Sequence, residues 1–447
     1  MNIKLITLSL FMLALGNTSY AQTNNTAKLD QYFDKLAEKN KAMGTLVIAK
    51  DGKVVYTRSI GYSQINETKK TLLTAANRYR IASVTKMYTA VLIFQLVEKG
   101  KLKLTDPLAK FFPQIANADK ITIAQILAHH SGIHDALIDP NLRPQTKTTS
   151  ITKNELVDII AKGKSDFEPG TKHAYSNSGY ALLGLIIEKL TGKTYAEVLK
   201  TNIATKLALN DTYVATGNID VNKNESLTYK YSDGWKQDAE THPSILFGGG
   251  SIISTPNDMV KFIHALFELK LITKEHLDIM KTMKDEDGSG MEPFQFAEKT
   301  FYGHTGGGDN YGAWLMYQPE EKLAVAYTTN AKVHPVGDIL KTSMDIYYNR
   351  SVEIPTFESM VVSTTILDTY VGVYSTTAAP VKFTVTRNGA TLYIQPPGGQ
   401  AAAPLVATAQ DKFKIEGNNA VAFEFNAEKG QLIVKRNGGE RVFTKEN

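Results

Sequence analysis

Hydrophobic spacing along the chain changes character several times. Over residues 28–43, Leu29, Tyr32, Phe33, Leu36 and Ala37 fall on one face at helical spacing. Thr45–Ala49 and Val54–Ser59 then flank Asp51-Gly52, a turn pair that signals a β-hairpin. A long tract with helical periodicity and few strand signals follows to about residue 285. It includes Tyr88–Glu98, Ile123–His129, Tyr180–Leu190 and Asp258–Leu269. Pro256 behind Ser254 and Thr255 marks the start of the last of these. Alternation returns at Ala313–Tyr317 and Leu323–Thr328, and a closing helix is predicted from about Val336 to Tyr348. Strands at both ends with helices between predict an α+β fold: one antiparallel sheet flanked by helices, with a helical domain inserted.

Beyond residue 350 the pattern switches again. Ser351–Thr365 has weak periodicity, so 350–365 reads as a linker. Short alternating runs follow: Tyr370–Tyr374, Val381–Thr386, Ala390–Gln395, Lys412–Ile415, Ala420–Phe425 and Gln431–Lys435. Asn388-Gly389, Gly417-Asn418-Asn419, Lys429-Gly430 and Asn437-Gly438-Gly439 divide them, and 396–404 reads as one long loop. Residues 366–447 are therefore expected to form a small all-β barrel or sandwich.

The N-terminus carries Lys4, an uncharged apolar run from Leu5 to Leu15, and small residues at Ser19 and Ala21. That is the layout of a signal peptide, expected to end at Ala21. The run is too short to span about 30 Å of hydrocarbon, and no later segment is apolar enough. The expected mature protein is periplasmic or secreted, without a transmembrane segment. The charges, 50 Lys+Arg against 45 Asp+Glu, are dispersed, so no nucleic-acid footprint is legible. The chain has no Cys, which excludes disulfides, thiolate catalysis and Cys-ligated zinc and leaves oxygen or nitrogen as the nucleophile.

Ser-x-x-Lys puts a hydroxyl and an amine one helical turn apart, where the amine can take the hydroxyl proton. About two copies are expected by chance in such a chain, and two occur, at Ser83–Lys86 and Ser150–Lys153. In the second, Thr152 and Glu155 make a capping box, an ordinary helix start. The first precedes Met87–Phe94, apolar nearly all round, so Ser83 sits at the start of a buried helix with either a capping or a catalytic role open to it. Tyr175-Ser176-Asn177 follows a turn and precedes a helix. A tyrosinate there is a competent base if nearby Lys charges lower its pKa of about 10, and the Asn amide suits a peptide-like substrate. His304-Thr305-Gly306, with Gly307 and Gly308 behind it, could hold a carboxylate or let a substrate approach the backbone, or simply be a glycine-rich loop. His129-His130-x-x-x-His134 lacks a matching acidic ligand and is broken by Gly132, so no metal is expected.

The order Ser-Val-Thr-Lys, Tyr-Ser-Asn, His-Thr-Gly resembles the serine β-lactamase and penicillin-recognising family on its class C side, and above all its D-alanyl-D-alanine carboxypeptidases. Phe167-Glu168-Pro169-Gly170 and Gly249–Thr255 add to the likeness, which covers residues 28–349; the tail is similar to β-barrel modules appended to such hydrolases. The resemblance implies that Ser83 forms an acyl-enzyme, with Lys86 and Tyr175 moving the proton. It implies that Asn177, His304, Thr305 and Gly306 bind substrate and that the N–H groups of Ser83 and Gly307 form the oxyanion hole. No cofactor or metal is implied, and the expected partner is a small-molecule or peptide substrate. The β-lactamases usually have Lys-Thr-Gly where this chain has His304. The expected activity is therefore that of a hydrolase of D-amino-acid peptides or esters, with a class C-type β-lactamase or a retired cell-wall-peptide binder as alternatives.

Overall fold

The turn at Asp51 and Gly52 has positive φ at both residues (50° and 74°), the twist a tight hairpin needs. It joins β1 (Ala42–Lys50) to β2 (Lys53–Ile60). In the computed structural model, which describes residues 25–446 apart from 145–146, 232–233, 309, 358–359, 399–401, 416–417 and 437–438, these strands belong to a six-stranded sheet. The others are β3 (Glu292–Phe296), β4 (Lys299–Gly307), β5 (Gly312–Gln318) and β6 (Leu323–Lys332). The order is β3-β4-β5-β6-β1-β2, antiparallel throughout, with Ala42 opposite Lys332 and Lys50 opposite Leu323. Residues nearly 300 positions apart thus pair along a whole strand, as the strands at both ends of the tract predict. The segment read as a signal peptide lies outside the described residues, as do Gly417 and Asn437-Gly438 of the predicted turns.

Before the sheet comes helix α1 (25–38), whose Leu29, Tyr32, Phe33 and Leu36 are buried as their spacing requires. Between β2 and β3 lie α2 (Thr85–Glu98), α3 (Asn177–Thr191), α4 (Pro256–Phe267) and several shorter helices. All residues of α2 from Thr85 to Leu96 are buried, Lys86 among them. Thr255 caps α4 by accepting from Asp258 N, with Pro256 in its first turn, and α4 packs on β6, β1 and β5. The sequence expectation passed over β3, and it left 304–308 open as a glycine-rich loop. Up to Gly307 these residues are strand: Thr305 pairs with Trp314 on one side, while on the other β3 covers only the first half of β4, ending where Glu292 meets Gly303 and leaving an edge.

Two glycines of β4 are there for close packing. A Cβ at Gly303 would lie 1.8 Å from the Leu315 carbonyl oxygen. One at Gly306 would lie 2.4 Å from Ile81 O and 2.8 Å from Ser83 N. The bare face of Gly306 lets β4 lie directly against the turn that carries Ser83.

The chain divides into two compact units, one reaching to Val333 and one from His334 on. The second contains α5 (Val336–Tyr347), α6 (Thr364–Tyr370) and eight strands from Gly372–Thr376 to Gly439–Lys445. The strands run in sequence order and close, the last pairing the first at Ser375 and Thr444. Closure leaves no free sheet edge. Tyr370, Tyr374, Phe413, Phe425 and Phe443 pack in its core. Tyr370–Tyr374 was expected to be one strand; it spans a helix end and a strand start, because Leu367 and Tyr370 reach the core at helical spacing. Part of the expected loop 396–404 is the start of the strand Ala403–Ala409.

Gly306→Ala is expected to force β4 away from the Ser83 turn. Overpacking of this kind costs about 1–3 kcal/mol. The displacement should slow Ser83 labelling by a fluorophosphonate about 100-fold. Thermal melting and labelling rate measure the two; a wild-type labelling rate would refute the packing argument. A chain ending at Arg350 should still melt cooperatively and still be labelled, since every candidate site residue precedes Val333. A folded but unlabelled truncation would show that the second unit builds part of the site.

Candidate active site

Ser83 lies in a 3-10 turn, Ala82–Val84, that runs into α2. Neither the turn nor α2 has a side-chain cap. The capping role left open for Ser83 is thus not the one it plays: its Oγ accepts from Lys86 Nζ at 2.9 Å. The same ammonium donates to Asn177 Oδ1 at 2.8 Å and to Gly249 O at 2.9 Å. Lys86 is fully buried, and burial brings its pKa down to about 7, opposed by the charges of Asp135, Glu292 and Asp287. A pKa brought down to about 7 makes the neutral amine accessible at neutral pH, a state in which Nζ can accept a proton from Ser83.

Two further short contacts hold the turn. The strand Tyr79–Arg80 pairs with Ile252–Ser254, and Arg80 Nε meets buried Glu240 Oε2 at 2.7 Å. Ala82 has φ 44°, a left-handed backbone on a residue with a Cβ, immediately before the nucleophile.

Tyr175 stands over Lys86, with Nζ 4.7 Å from its ring centroid. His129 stacks on its other side at 4.4 Å. Burial pushes the Tyr175 phenol well above its ordinary value, and its hydrogen bond with Ser83 opposes this without cancelling it. The condition set for a tyrosinate, a pKa lowered by nearby lysine charge, is therefore not met: burial keeps the phenol protonated. His129 is kept neutral chiefly by burial, and its Nδ1 accepts from Ser176 N at 3.0 Å. Ser176 in turn caps α3 through Gly179 N.

Asn177, expected to bind substrate, is also engaged from within. Its Oδ1 takes a Lys86 hydrogen bond and its Nδ2 donates to Asp135 Oδ2 at 2.8 Å. One Nδ2 hydrogen is left for a ligand.

On β4, His304 is buried, and its Nδ1 donates to Thr305 O at 2.5 Å. Burial lowers its pKa further, so the ring is neutral at pH 7. Thr305 donates from N and from Oγ1 to Glu292 Oε2, each at 3.0 Å. Gly306 and Gly307 continue the strand past the Ser83 turn, with Gly307 opposite Gly312.

The structure therefore brings Ser83, Lys86, Tyr175, Asn177, His304, Thr305, Gly306 and Gly307 into one cleft. Sequence reasoning missed Asp135, Gly249, Asp287 and Glu292. Gly248 had a usable signal in its glycine run: a Cβ there would lie 2.7 Å from Tyr180 O, so glycine is needed for the turn to reach Lys86. The His129-His130-x-x-x-His134 trio is split between tasks. His130 pairs with Asp285 at 2.7 Å, and His134 lies between Asp139 and Asp166. Ser150 is exposed, and Thr152 and Glu155 form the reciprocal cap of a separate helix, Lys153–Ala161.

The profile of the family described as Beta-lactamase matches residues 29–346. Penicillin-binding protein 4* of Bacillus subtilis (strain 168) is 26% identical over 422 residues, 87% of this chain and 91% of that protein. Teichoic acid D-alanine hydrolase of Staphylococcus aureus is 26% identical over 334 residues, 69% of this chain and 77% of that one. The crystal structure of D-amino acid amidase from Ochrobactrum anthropi SV3 with L-phenylalanine amide matches with TM-score 0.63 and 25% identity, over 72% of this chain and 99% of that one. The octameric penicillin-binding protein homologue from Pyrococcus abyssi shares the fold over 94% of this chain and 99% of its own, with TM-score 0.66 at 24% identity. With the family match running from α1 to the end of α5, the chain belongs to the β-lactamase family and is a serine hydrolase.

Proposed function

We propose that this protein is an exported hydrolase that cleaves D-aminoacyl esters, amides or peptides through an ester on Ser83. The observation that carries the reading is the buried Lys86 ammonium at 2.9 Å from Ser83 Oγ with a pKa brought down to about 7. A protein that only binds cell-wall peptides has no use for an amine held there at the cost of its hydration. The names of the relatives, a D-alanine hydrolase and a D-amino acid amidase, support the substrate class. Export rests on Lys4, the Leu5–Leu15 run and the small residues ending at Ala21.

The steps follow from the geometry. Neutral Lys86 accepts the Ser83 proton as Oγ attacks the substrate carbonyl. The oxyanion that forms is received by the N–H groups of Ser83 and Gly307. Tyr175, hydrogen-bonded to Ser83 and over Lys86, gives its proton to the departing alcohol or amine and takes the one held by Lys86 in its place. Water then attacks the ester and gives a proton to the same Lys86–Tyr175 pair, which returns it to Ser83 Oγ as the acid leaves.

Ser83→Ala should abolish labelling by a fluorophosphonate, and Ser150→Ala should leave it intact. Intact-mass and peptide mapping decide it; an adduct on Ser150, or on neither, sinks the assignment. For an uncharged p-nitrophenyl ester, kcat/KM should rise with pH through a midpoint at about 7. Below it Lys86 is protonated and cannot accept; above it the base is free. The phenol of Tyr175 is held above its usual range, so no alkaline decline is expected up to about pH 9. A midpoint near 4–5, the range in which about all ordinary carboxylates titrate, would transfer the base role to an acid.

A further inference from the structure

The segment expected to receive a substrate carboxylate already holds one. β3 stops at Glu292, opposite Gly303, so its pairing with β4 ends one residue short of His304. Glu292 turns its side chain along the bare edge that remains. Its Oε2 accepts from Thr305 N and Thr305 Oγ1 at 3.0 Å each, and Oε1 lies 3.3 Å from Oγ1 and 3.4 Å from His304 Nδ1. The Glu292 side chain is about one-fifth exposed, so its carboxyl is not sealed off from solvent. We infer that Glu292 sets the substrate class of this site: by holding the Thr305 donors with its own carboxylate, it turns the cleft from substrates with a carboxylate beside the scissile bond toward D-aminoacyl esters and amides with a free α-ammonium.

The surrounding charge points the same way. A lysine in the place of His304 would balance Glu292, but His304 is neutral and donates to a backbone carbonyl. Asp135 and Asp287 add to the negative field that acts on Lys86. Asp287 is itself bridged to His173 at 3.0 Å, and burial raises its pKa. Lys332 brings a cation to the end of the segment beside Gly307, where its ammonium donates to Gly308 O at 2.8 Å and so already has an acceptor, while the Thr305 donors are held by Glu292. An anionic group entering at Thr305 would displace an existing hydrogen-bonded acceptor and meet a like charge, while an ammonium would gain one. Like charge brought together without compensation is the usual means of rejecting a substrate.

The inference rests on the acyl-enzyme reading, and the test separates the two. The intact protein, Glu292→Gln and His304→Lys are compared on three probes. These are D-alanine p-nitroanilide, a diacetyl-lysyl-D-alanyl-D-alanine peptide, and acylation by benzylpenicillin. Wild type should favour the anilide. Glu292→Gln keeps the shape and an acceptor for Thr305 but removes the charge. It should raise kcat/KM for the two carboxylate-bearing probes relative to the anilide by about tenfold, the equivalent of about 1.4 kcal/mol, mostly through KM or the acylation second-order constant. His304→Lys should shift the ratio in the same direction by adding the countercharge. Unchanged ratios in both variants, with fluorophosphonate labelling intact, overturn the inference and leave the acyl-enzyme reading standing. Equal loss on all three probes in Glu292→Gln also overturns it, making Glu292 a support for β4 alone. Absence of Ser83 labelling in wild type would instead end the acyl-enzyme reading itself.

Discussion

The site is organised around the burial of one ammonium. An ammonium has three hydrogens and no acceptor, and taking it out of water is tolerated only where each hydrogen is received. Lys86 finds three acceptors within 2.9 Å: Ser83 Oγ, Asn177 Oδ1 and Gly249 O. Two of these, an amide oxygen and a carbonyl, can only accept. When Lys86 loses a proton, they retain the two hydrogens that remain, and the lone pair is left facing Ser83. The same geometry that makes burial possible therefore aims the free amine at the nucleophile. It also dictates the surrounding fold. Asn177 must begin α3, the Gly249 carbonyl must come within reach of α2, and the Ser83 turn must precede α2 by half a turn.

The protonation states of the neighbours follow from that burial. His129 and His304 are held neutral and Tyr175 is kept as a phenol, so none of these three neighbours adds a positive charge beside Lys86. The carboxylates of Asp135, Glu292 and Asp287 pull its pKa back up, yet desolvation outweighs them and leaves it at about 7. Had desolvation acted alone, the amine would be a weaker base; had the carboxylates been nearer, it would stay charged. The balance places the proton between the two states at neutral pH, where a general base is most effective.

Much of this was legible in the sequence because it depends on local spacing. The hairpin at Asp51-Gly52, the cap at Thr255 and the contrast between the two Ser-x-x-Lys copies are local features. Lys153, in the second copy, ends as a half-exposed partner of Glu188 at 2.6 Å, whereas Lys86 is surrounded by the apolar run that follows it. What could not be read were contacts made by tertiary approach. Glu292 lies next to Thr305 only because β3 stops short along β4. Asp135 meets Asn177 across 42 residues, and Gly249 meets Lys86 across 163. Two barrel strands were missed, Ala403–Ala409 and Gly439–Lys445; the first opens with Ala-Pro, and its one strongly apolar pair, Leu405 and Val406, is adjacent rather than alternating. Pairing with its neighbours, rather than propensity, makes it a strand.

Three of the chain's left-handed non-glycine residues stand close to the same ammonium. Ala82, His129 and Phe247 all have positive φ, at 44°, 57° and 39°, without being glycine. Each such residue costs about 1–3 kcal/mol and persists only where its surroundings over-determine it. Their positions explain the persistence. Ala82 turns the chain so that Ser83 follows β4 closely, His129 delivers its ring to Tyr175 and its Nδ1 to Ser176, and Phe247 opens the glycine turn that brings Gly249 O to Lys86. The three segments come from distant parts of the chain and share no sequence feature. Two of them, at Ala82 and Phe247, lead into residues that receive Lys86 hydrogens, Ser83 and Gly249; the third, at His129, holds Tyr175 and Ser176 beside Asn177, whose amide oxygen is supplied from the first turn of a regular helix.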